Sequence, residues 1–414
     1  MLNVLLVHLR SSDNSGRARY VSHQSASLTM LRYVAGNSIT LLKNGGDFFP
    51  ALEAAIDSAQ TEVHLETYIF ADDATGQRIA RALQRAAHRG AVVRVVVDGF
   101  GSRDFLPPAM IDEMEKSGVE LLIYRPDLAR FSFRRYRLRR MHRKIAMIDG
   151  EIGFVGGINI IDDANTPNHT PPRYDYAVKL TGPLVQELRP VVHRLWEILT
   201  WTNFRSRLYF SFPKLAPAGP SGPHLAALVI RDNLRHRNDI EDAYLDAIDN
   251  AREEIIIANA YFFPGAVFRR SLASAAARGV RVTLLLQGRV EYRWLHHATR
   301  ALYGALLASG VQIIEYHKSF MHAKVAVVDD GWATVGSSNI DPFSFMLSRE
   351  ANIIVRDAAF CAQLRHSLRM AIQDGAAPVH LNEWKLRPIS ERFMAWLAYG
   401  IGRFALGVLG YPQK

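Results

Sequence analysis

The chain has 414 residues, 49% hydrophobic and 22% charged, so it is globular in composition and long enough for two domains or one large unit. Its formal net charge of +10 and pI near 9.7 favour a negative partner: nucleic acid, an anionic membrane surface or a phosphate-bearing substrate. The single cysteine, Cys361, excludes an intramolecular disulfide and a thiolate cluster for structural zinc or iron–sulfur, and suits a reducing compartment.

At the N-terminus, "MLNVLLVHLR" has a short apolar run with no preceding positive charge and no small-residue cleavage site, which makes it a poor signal peptide. Residues 1–35 are expected to be an extension, with Met1 or Met30 as the start. Beyond them the chain is written twice. "AAIDSAQTEVHLETYIF" (54–70) matches "DAIDNAREEIIIANAYFF" (246–263), a helix leading into a strand. "AAHRGAVVRVVVDG" (86–99) matches "AAARGVRVTLLLQG" (275–288), and "SGVELLIY" (117–124) matches "SGVQIIEY" (309–316). Then come "MHRKIAMID" (141–149) and "MHAKVAVVD" (321–329), followed by "GFVGGIN" (153–159) and "ATVGSSN" (333–339).

Strands that alternate with helices and are too apolar for a solvated sheet indicate an α/β layered fold. Two homologous α/β/α halves are expected to pack about a pseudo-twofold axis, with the site between them. The expected boundaries are 36–205 for the first half, 206–225 for a linker containing "FPKLAPAGPSGPH", and 226–375 for the second half. A Pro-rich loop, "NTPNHTPP" (165–172), is expected to sit over the site.

Strand alternation would put His142 and Lys144 on one face and turn Arg143 away, and likewise pair His322 with Lys324. Asn159 and Asn339 follow turns in which Gly156, Gly157 and Gly336 would let a substrate approach the backbone. Two copies of this set suit phosphodiester chemistry. Lys144, Asn159, Lys324 and Asn339 would hold the phosphate oxygens, where loss of one donor costs about 3–4 kcal/mol. His142 and His322 would divide attack on phosphorus and proton transfer. Asp149 and Asp329 complete the catalytic motif, though an architectural part near the strand end is the more natural reading of them. No cofactor and no metal is expected, since neither half has a carboxylate cluster at ligand spacing.

"HRKIAMIDGEIGFVGGIN" and "HAKVAVVDDGWATVGSSN" resemble the two HKD motifs of the phospholipase D superfamily, and the resemblance spans about residues 36–370. "LETYIFADD", "RRMHRKI", "DYAVKLTGP", "RDNLRHRNDIEDAYLDAI", "IIIANAYFFPG" and "VGSSNIDPFS" resemble bacterial cardiolipin synthases of the B-type branch. The resemblance implies a two-half phospholipase D-like fold and ping-pong transfer through a phosphohistidine, with His142 as nucleophile and His322 as acid and base. It also implies that a carboxylate from the opposite half orients each imidazole, Glu350 for His142 and Asp175 for His322.

The stretch "RFSFRRYRLRRMHRK" (130–144) suits either nucleic acid or an anionic lipid surface. The C-terminal segment 376–414 turns the balance to lipid, because "FMAWLAYGIGRFALGVLGY" (393–411) is apolar except for Arg403. A charge at the centre of a span costs roughly 2.5–3.5 kcal/mol, so an interfacial or re-entrant anchor is expected rather than a single span. The resemblance then implies, as the expected reaction, the conversion of two phosphatidylglycerol molecules into cardiolipin and glycerol, with phosphatidylethanolamine as a further donor. A phospholipase D, or a metal-independent nuclease using water, is the alternative. Nucleic acid is not the expected partner, and the oligomeric state is open. The implied location is the bacterial cytoplasmic membrane, peripheral or tail-anchored, with the catalytic body in the cytoplasm.

Overall fold

The computed structural model describes residues 31–126, 139–166, 170–202, 217–232, 235–289, 293–341, 344, 347–386 and 388–408. The first half runs β1 (Val34–Lys43), α1 (Asn44–Ser58), β2 (Glu62–Thr67), α2 (Ala74–His88), β3 (Val92–Asp98), α3 (Pro108–Lys116), β4 (Glu120–Tyr124), β5 (Arg140–Met141), β6 (Lys144–Ile148), β7 (Ile152–Gly156), β8 (Tyr176–Thr181) and α4 (Val185–Thr202). The second runs β9 (His224–Arg231), α5 (Asp239–Asn250), β10 (Glu254–Asn259), α6 (Ala266–Ala277), β11 (Arg281–Gln287), α7 (Arg293–Arg300), α8 (Tyr303–Ala308), β12 (Gln312–Tyr316), β13 (Lys324–Val328), β14 (Trp332–Gly336), β15 (Ser348–Arg356) and α9 (Ala358–Gly375). A short strand β16 (Ala376–Pro378) and helices α10 (Leu381–Leu386) and α11 (Ile389–Val408) follow.

Local chemistry sets the same boundaries in both copies. The helices α2 and α6 each end in an Arg-Gly pair, and Gly90 (φ 95°) and Gly279 (φ 92°) adopt the left-handed conformation that closes a helix without a Cβ penalty. From the centre outwards the strand order is β1-β8-β7-β6-β2-β3-β4 in one half and β9-β15-β14-β13-β10-β11-β12-β16 in the other. Equivalent strands therefore occupy equivalent places on either side of an antiparallel β1–β9 seam, which is the pseudo-twofold arrangement expected from the repeat. The central strand begins at His224, inside the stretch expected to be linker; residues 203–216 of that stretch, and the extension to Met30, lie outside the described residues.

Side-chain alternation assigns the two faces of each sheet. On β6, Ala146 and Ile148 face the first-half helices, whereas Ile145 and Met147 join a central core shared by both halves. On β13, Ala326 and Val328 face the second-half helices, and Val325 and Val327 enter the same central core. That core brings β7 and β8 against β14 and β15 and includes Val185, Leu188 and Val192 of α4 with Phe360, Leu364 and Leu368 of α9. The two sheets thus bury one face against each other, and the apolar β-branched runs are explained by burial on both sides.

The motif aspartates lock this frame. Asp149 (φ 52°) and Asp329 (φ 47°) follow β6 and β13 in the left-handed conformation, and their carboxylates bind the turns that lead from α1 into β2 and from α5 into β10. Asp149 accepts bonds from the backbone N–H of Gln60, Thr61 and Glu62 at 2.8–2.9 Å and from the Thr61 hydroxyl at 2.6 Å. Asp329 accepts from the N–H groups of Arg252, Glu253 and Glu254, each at 2.9 Å. Burial would raise both carboxyls, but these bonds hold them below the ordinary carboxylate range. Each is a tie between the start of β2 or β10 and the end of the motif strand.

No helix among the described residues is long and apolar enough to cross a membrane. The α11 helix instead docks one side on the second half: Ala395 is buried, and Tyr399 meets the edge of Phe263 and lies beneath the Arg269 guanidinium. The other side exposes Phe393, Met394, Trp396, Leu397 and Ile401.

Asp149→Ala and Asp329→Ala are each expected to destabilise the fold by about 2–4 kcal/mol in denaturant unfolding, since several charge-assisted bonds to backbone are lost together. A depressed carboxyl stabilises above its unfolded pKa and loses that contribution as pH falls. Stability of the variants should therefore fall less steeply than that of the parent as the solution is acidified.

Candidate active site

Each motif histidine is positioned by the opposite half. The short strand β5 pairs in parallel with the start of β15, Arg140 beside Ser348 and Met141 beside Arg349, and the N–H of His142 donates to the Arg349 carbonyl at 3.0 Å. The mirror contact joins Tyr174 to Met321, and the N–H of His322 donates to the Tyr174 carbonyl at 2.8 Å. The residue after each acceptor is the orienting carboxylate. His142 Nδ1 lies 3.0 and 3.2 Å from the two oxygens of Glu350, and His322 Nδ1 lies 2.7 Å from Asp175 Oδ2. Both histidines precede the strand proper, because β6 and β13 begin at the lysines. Lys144 Nζ donates to the His142 carbonyl at 2.6 Å, and Lys324 Nζ donates to the His322 carbonyl. Arg143 turns away, as alternation requires, into a buried pair with Glu66.

Nearly all of this charge is buried: Lys324 and Glu350 are fully inaccessible, and Asp175 and Lys144 almost so. Burial lowers the affinity of His142 for a proton, Glu350 opposes that effect, and Lys144 and Lys324 add to it. His322 is driven well below the ordinary imidazole value by burial and then by Lys324, Arg173, Lys144 and His142. Burial also pushes Lys144 down to about 7, with Glu350 opposing and Lys324 adding, and pushes Asp175 up to about 6. These couplings show the two motifs acting on one another as a single electrostatic unit. With each Nδ1 on a carboxylate, the Nε2 of either ring is left for chemistry, and an imidazole in its neutral form carries there the lone pair that nucleophilic attack requires. A bound phosphate would offset the lysine charge and restore proton affinity to whichever ring serves as acid.

Asn159 and Asn339 are both buried. The side-chain oxygen of Asn159 accepts the Ile69 N–H at 3.1 Å, holding the loop that follows β2. The glycine expectation is overturned, because protein atoms take the room those missing side chains leave. A Cβ on Gly157 would lie 2.3 Å from Asp175 Oδ1, one on Gly156 would lie 2.4 Å from Ala177 Cα, and one on Gly336 would lie 2.1 Å from Asn352 Oδ1. These glycines let the carboxylate strands come close to the motif. The loop expected over the site is described at residues 165–166 and 170–172, and its Thr170 carbonyl accepts the N–H of Phe320, two residues before His322. Residues 127–138 of the Arg-rich stretch, with Phe131, Phe133 and Tyr136, lie outside the described residues.

Several site residues were not singled out from sequence. Tyr68 packs edge-on against His142 with ring centroids 4.8 Å apart, and Lys144 Nζ lies 5.4 Å above its ring. The repeat could have flagged it, since its counterpart is Ala260. Ser337 donates to Glu350 Oε2 at 2.5 Å and so holds the carboxylate that holds His142. Arg173 stacks on Phe320, whose ring lies beside His322.

The family profile described as "Cardiolipin synthase, PLD-like domain" matches residues 52–196 and 244–371. Cardiolipin synthase B of Escherichia coli (strain K12) is 41% identical over 333 residues, covering 80% of this chain and 80% of that protein. The cardiolipin synthase of Geobacillus kaustophilus is 33% identical over 317 residues, covering 75% of this chain and 61% of that protein. Among solved structures, a phosphatidylserine synthase of Haemophilus influenzae Rd KW20 superposes with a TM-score of 0.69 at 14% identity, over 92% of this chain and 97% of that one, a likeness of fold alone. With two matched halves covering most of its length and B-type relatives at this identity, the chain belongs to the phospholipase D-like cardiolipin synthase family.

Proposed function

We propose that the chain transfers a phosphatidyl group from one phosphatidylglycerol to the terminal hydroxyl of a second, yielding cardiolipin and glycerol. The observation that carries this reading is the pair of imidazoles, each bound at Nδ1 by a carboxylate of the other half and each followed by a buried lysine. In the first step Nε2 of His142 attacks phosphorus, the bond from phosphorus to the glycerol headgroup oxygen breaks, and His322 protonates that oxygen. In the second step His322 takes the proton of the incoming lipid hydroxyl, whose oxygen displaces His142. Lys144 and Lys324, with the amides of Asn159 and Asn339, would hold the non-bridging oxygens, and Glu350 and Asp175 would stabilise the imidazoliums. Asp149 and Asp329 act through the frame. The assignment of His142 as nucleophile rests on the family's order of halves; the greater depression of His322 argues the other way, so the assignment has to be tested by trapping.

The same reading places the protein peripherally on an anionic membrane surface. The apolar side of α11, with Phe393, Trp396 and Ile401 exposed, and the strongly basic chain support it, since apolar contact and attraction to anionic lipid add together. Phosphatidylethanolamine is a further donor whose headgroup would leave by the same step.

Purified protein incubated with phosphatidylglycerol in detergent should yield cardiolipin and glycerol on lipid chromatography; phosphatidic acid alone would establish hydrolysis instead. Replacing either His142 or His322 with Ala should lower turnover at least about 1,000-fold. With a donor whose leaving group needs no acid, such as a nitrophenyl phosphodiester lipid, His322→Ala should still accumulate a covalent adduct on His142, and His142→Ala none; an adduct on His322 would reverse the assignment.

The pH dependence follows from Lys144, which must be charged to hold phosphate yet is pushed by burial down to about 7. The KM for the donor should rise above that pH, by up to about tenfold per unit; a flat KM across this range would count against a phosphate-holding Lys144.

Phe393→Glu combined with Trp396→Glu and Ile401→Glu should reduce sedimentation with anionic vesicles by about tenfold or more while leaving turnover on detergent-dispersed lipid unchanged. Unaltered vesicle binding would remove α11 from the membrane contact.

A further inference from the structure

Behind the first motif, β2 turns Glu62, His64 and Glu66 onto one face, while Val63 and Leu65 enter the helix-side core. All three polar side chains are buried, and the face they share is covered by α4. Glu66 is satisfied by Arg143, which also donates to the Val191 carbonyl of α4 at 3.1 Å. Glu62 meets a different set. Arg189 and His193 sit one turn apart on α4, with Arg189 Nε 3.4 Å from Glu62 Oε1 and His193 Nε2 3.7 Å from Oε2. His64 Nε2 lies 3.4 Å from the same Oε2, and one donor atom from each of Glu62, His64 and His193 lies within 4.8 Å of the others.

The second half is an internal control. Glu254 on β10 is the counterpart of Glu62, and the amides of both residues are bound by a motif aspartate. Its carboxylate is met by two arginines of α9, Arg365 Nε at 3.0 Å and Arg369 Nη2 at 2.9 Å from both oxygens, and more distantly by the exposed Arg281 of β11 at 3.7 Å. Arg189 repeats the place of Arg365. The place of Arg369 is taken by His193, however, and the place of the apolar core residue Ile256 is taken by His64. Two arginines neutralise a carboxylate and cannot ligate a metal. One arginine and two imidazoles do less of the first and permit the second.

We propose that Glu62, His64 and His193 form a site for a divalent transition cation, zinc by ligand chemistry, that staples α4 to β2. Ligand bonds of about 2.0–2.1 Å in tetrahedral geometry put donor atoms about 3.3–3.4 Å apart, close to the separations from Glu62 Oε2 to the two imidazoles. Arg189 on the other oxygen is placed to orient the carboxylate from outside the ligand set. His193 is 13% exposed, which leaves a route for the ion. The sequence expectation of no metal rested on the lack of a carboxylate cluster at ligand spacing in either half; this set is one carboxylate and two imidazoles and joins a strand to a helix far along the chain.

The test uses tag-free full-length protein in detergent, stripped with a chelator, equilibrated with zinc or cobalt(II) and dialysed. Wild type should retain about one zinc per chain by elemental analysis, show cobalt(II) visible ligand-field bands, and melt a few degrees higher with zinc than without. His193→Arg, which rebuilds the Glu–Arg–Arg arrangement of the second half, and His64→Ile, which restores its apolar residue, should each lower retained zinc at least about tenfold and abolish the cobalt bands. Wild type without stoichiometric metal, or a folded His193→Arg or His64→Ile protein that keeps its metal, would overturn the proposal.

Discussion

An imidazole buried among lysines needs a carboxylate to hold its tautomer and to offset positive charge on the ring, and among the described residues each motif histidine takes that carboxylate from the opposite half. Glu350 serves His142 and Asp175 serves His322. The remaining architecture follows from this exchange. Residues β5 and Met321 must cross to the opposite half so that each histidine's N–H reaches the carbonyl just before its carboxylate. The strands bearing the carboxylates must come close to the motif strands, which is why Gly156, Gly157 and Gly336 have no room for a side chain. The two sheets must therefore share a core, and the apolar inner faces of β6, β8, β13 and β15 provide it. Burial of a site this rich in charge is costly unless every group is paired, and pairing across the pseudo-twofold achieves that twice.

The symmetry is a property of the frame and stops short of the surroundings. On the first-half side, Tyr68 covers His142 where the second half has Ala260. Arg143 and Glu66 form a buried ion pair where the second half has Ala323 and Ala258, both packed in the central core. Rings with different neighbours have different proton affinities, so the asymmetry of the surroundings makes the two imidazoles unequal. The stronger depression of His322, with Arg173 beside its ring partner Phe320, is the electrostatic form of that inequality.

Much of this was legible because the chain repeats itself. A single His-x-Lys on a strand carries little information, but two copies embedded in the same order of helix, Arg-Gly stop and apolar strand pointed to two equivalent halves, and equivalent halves imply a shared site. Asp149 and Asp329 could be read as architectural, since an Asp near a strand end is well placed to bind backbone groups. The glycines were misread for a physical reason: glycine signals that something approaches closely, without saying whether that is substrate or protein. Tyr68 went unremarked because its importance depends on Lys144 and His142 lying above and beside it, separations that exist only after folding.

The periodicity, and with it the α/β halves, the motif residues and the family, could be read before folding, because these depend on order along the chain and on which side chains fall on one face of a strand. Folding sets how charge is shared: burial pushes Lys144 down to about 7 and lowers the proton affinity of both imidazoles, and Glu62 meets two histidines of its own half where Glu254 meets arginines. Those outcomes depend on desolvation and on distances between residues far apart in sequence, and electrostatic energy in a buried site is set by separation and solvent access, neither of which is written in the order of residues.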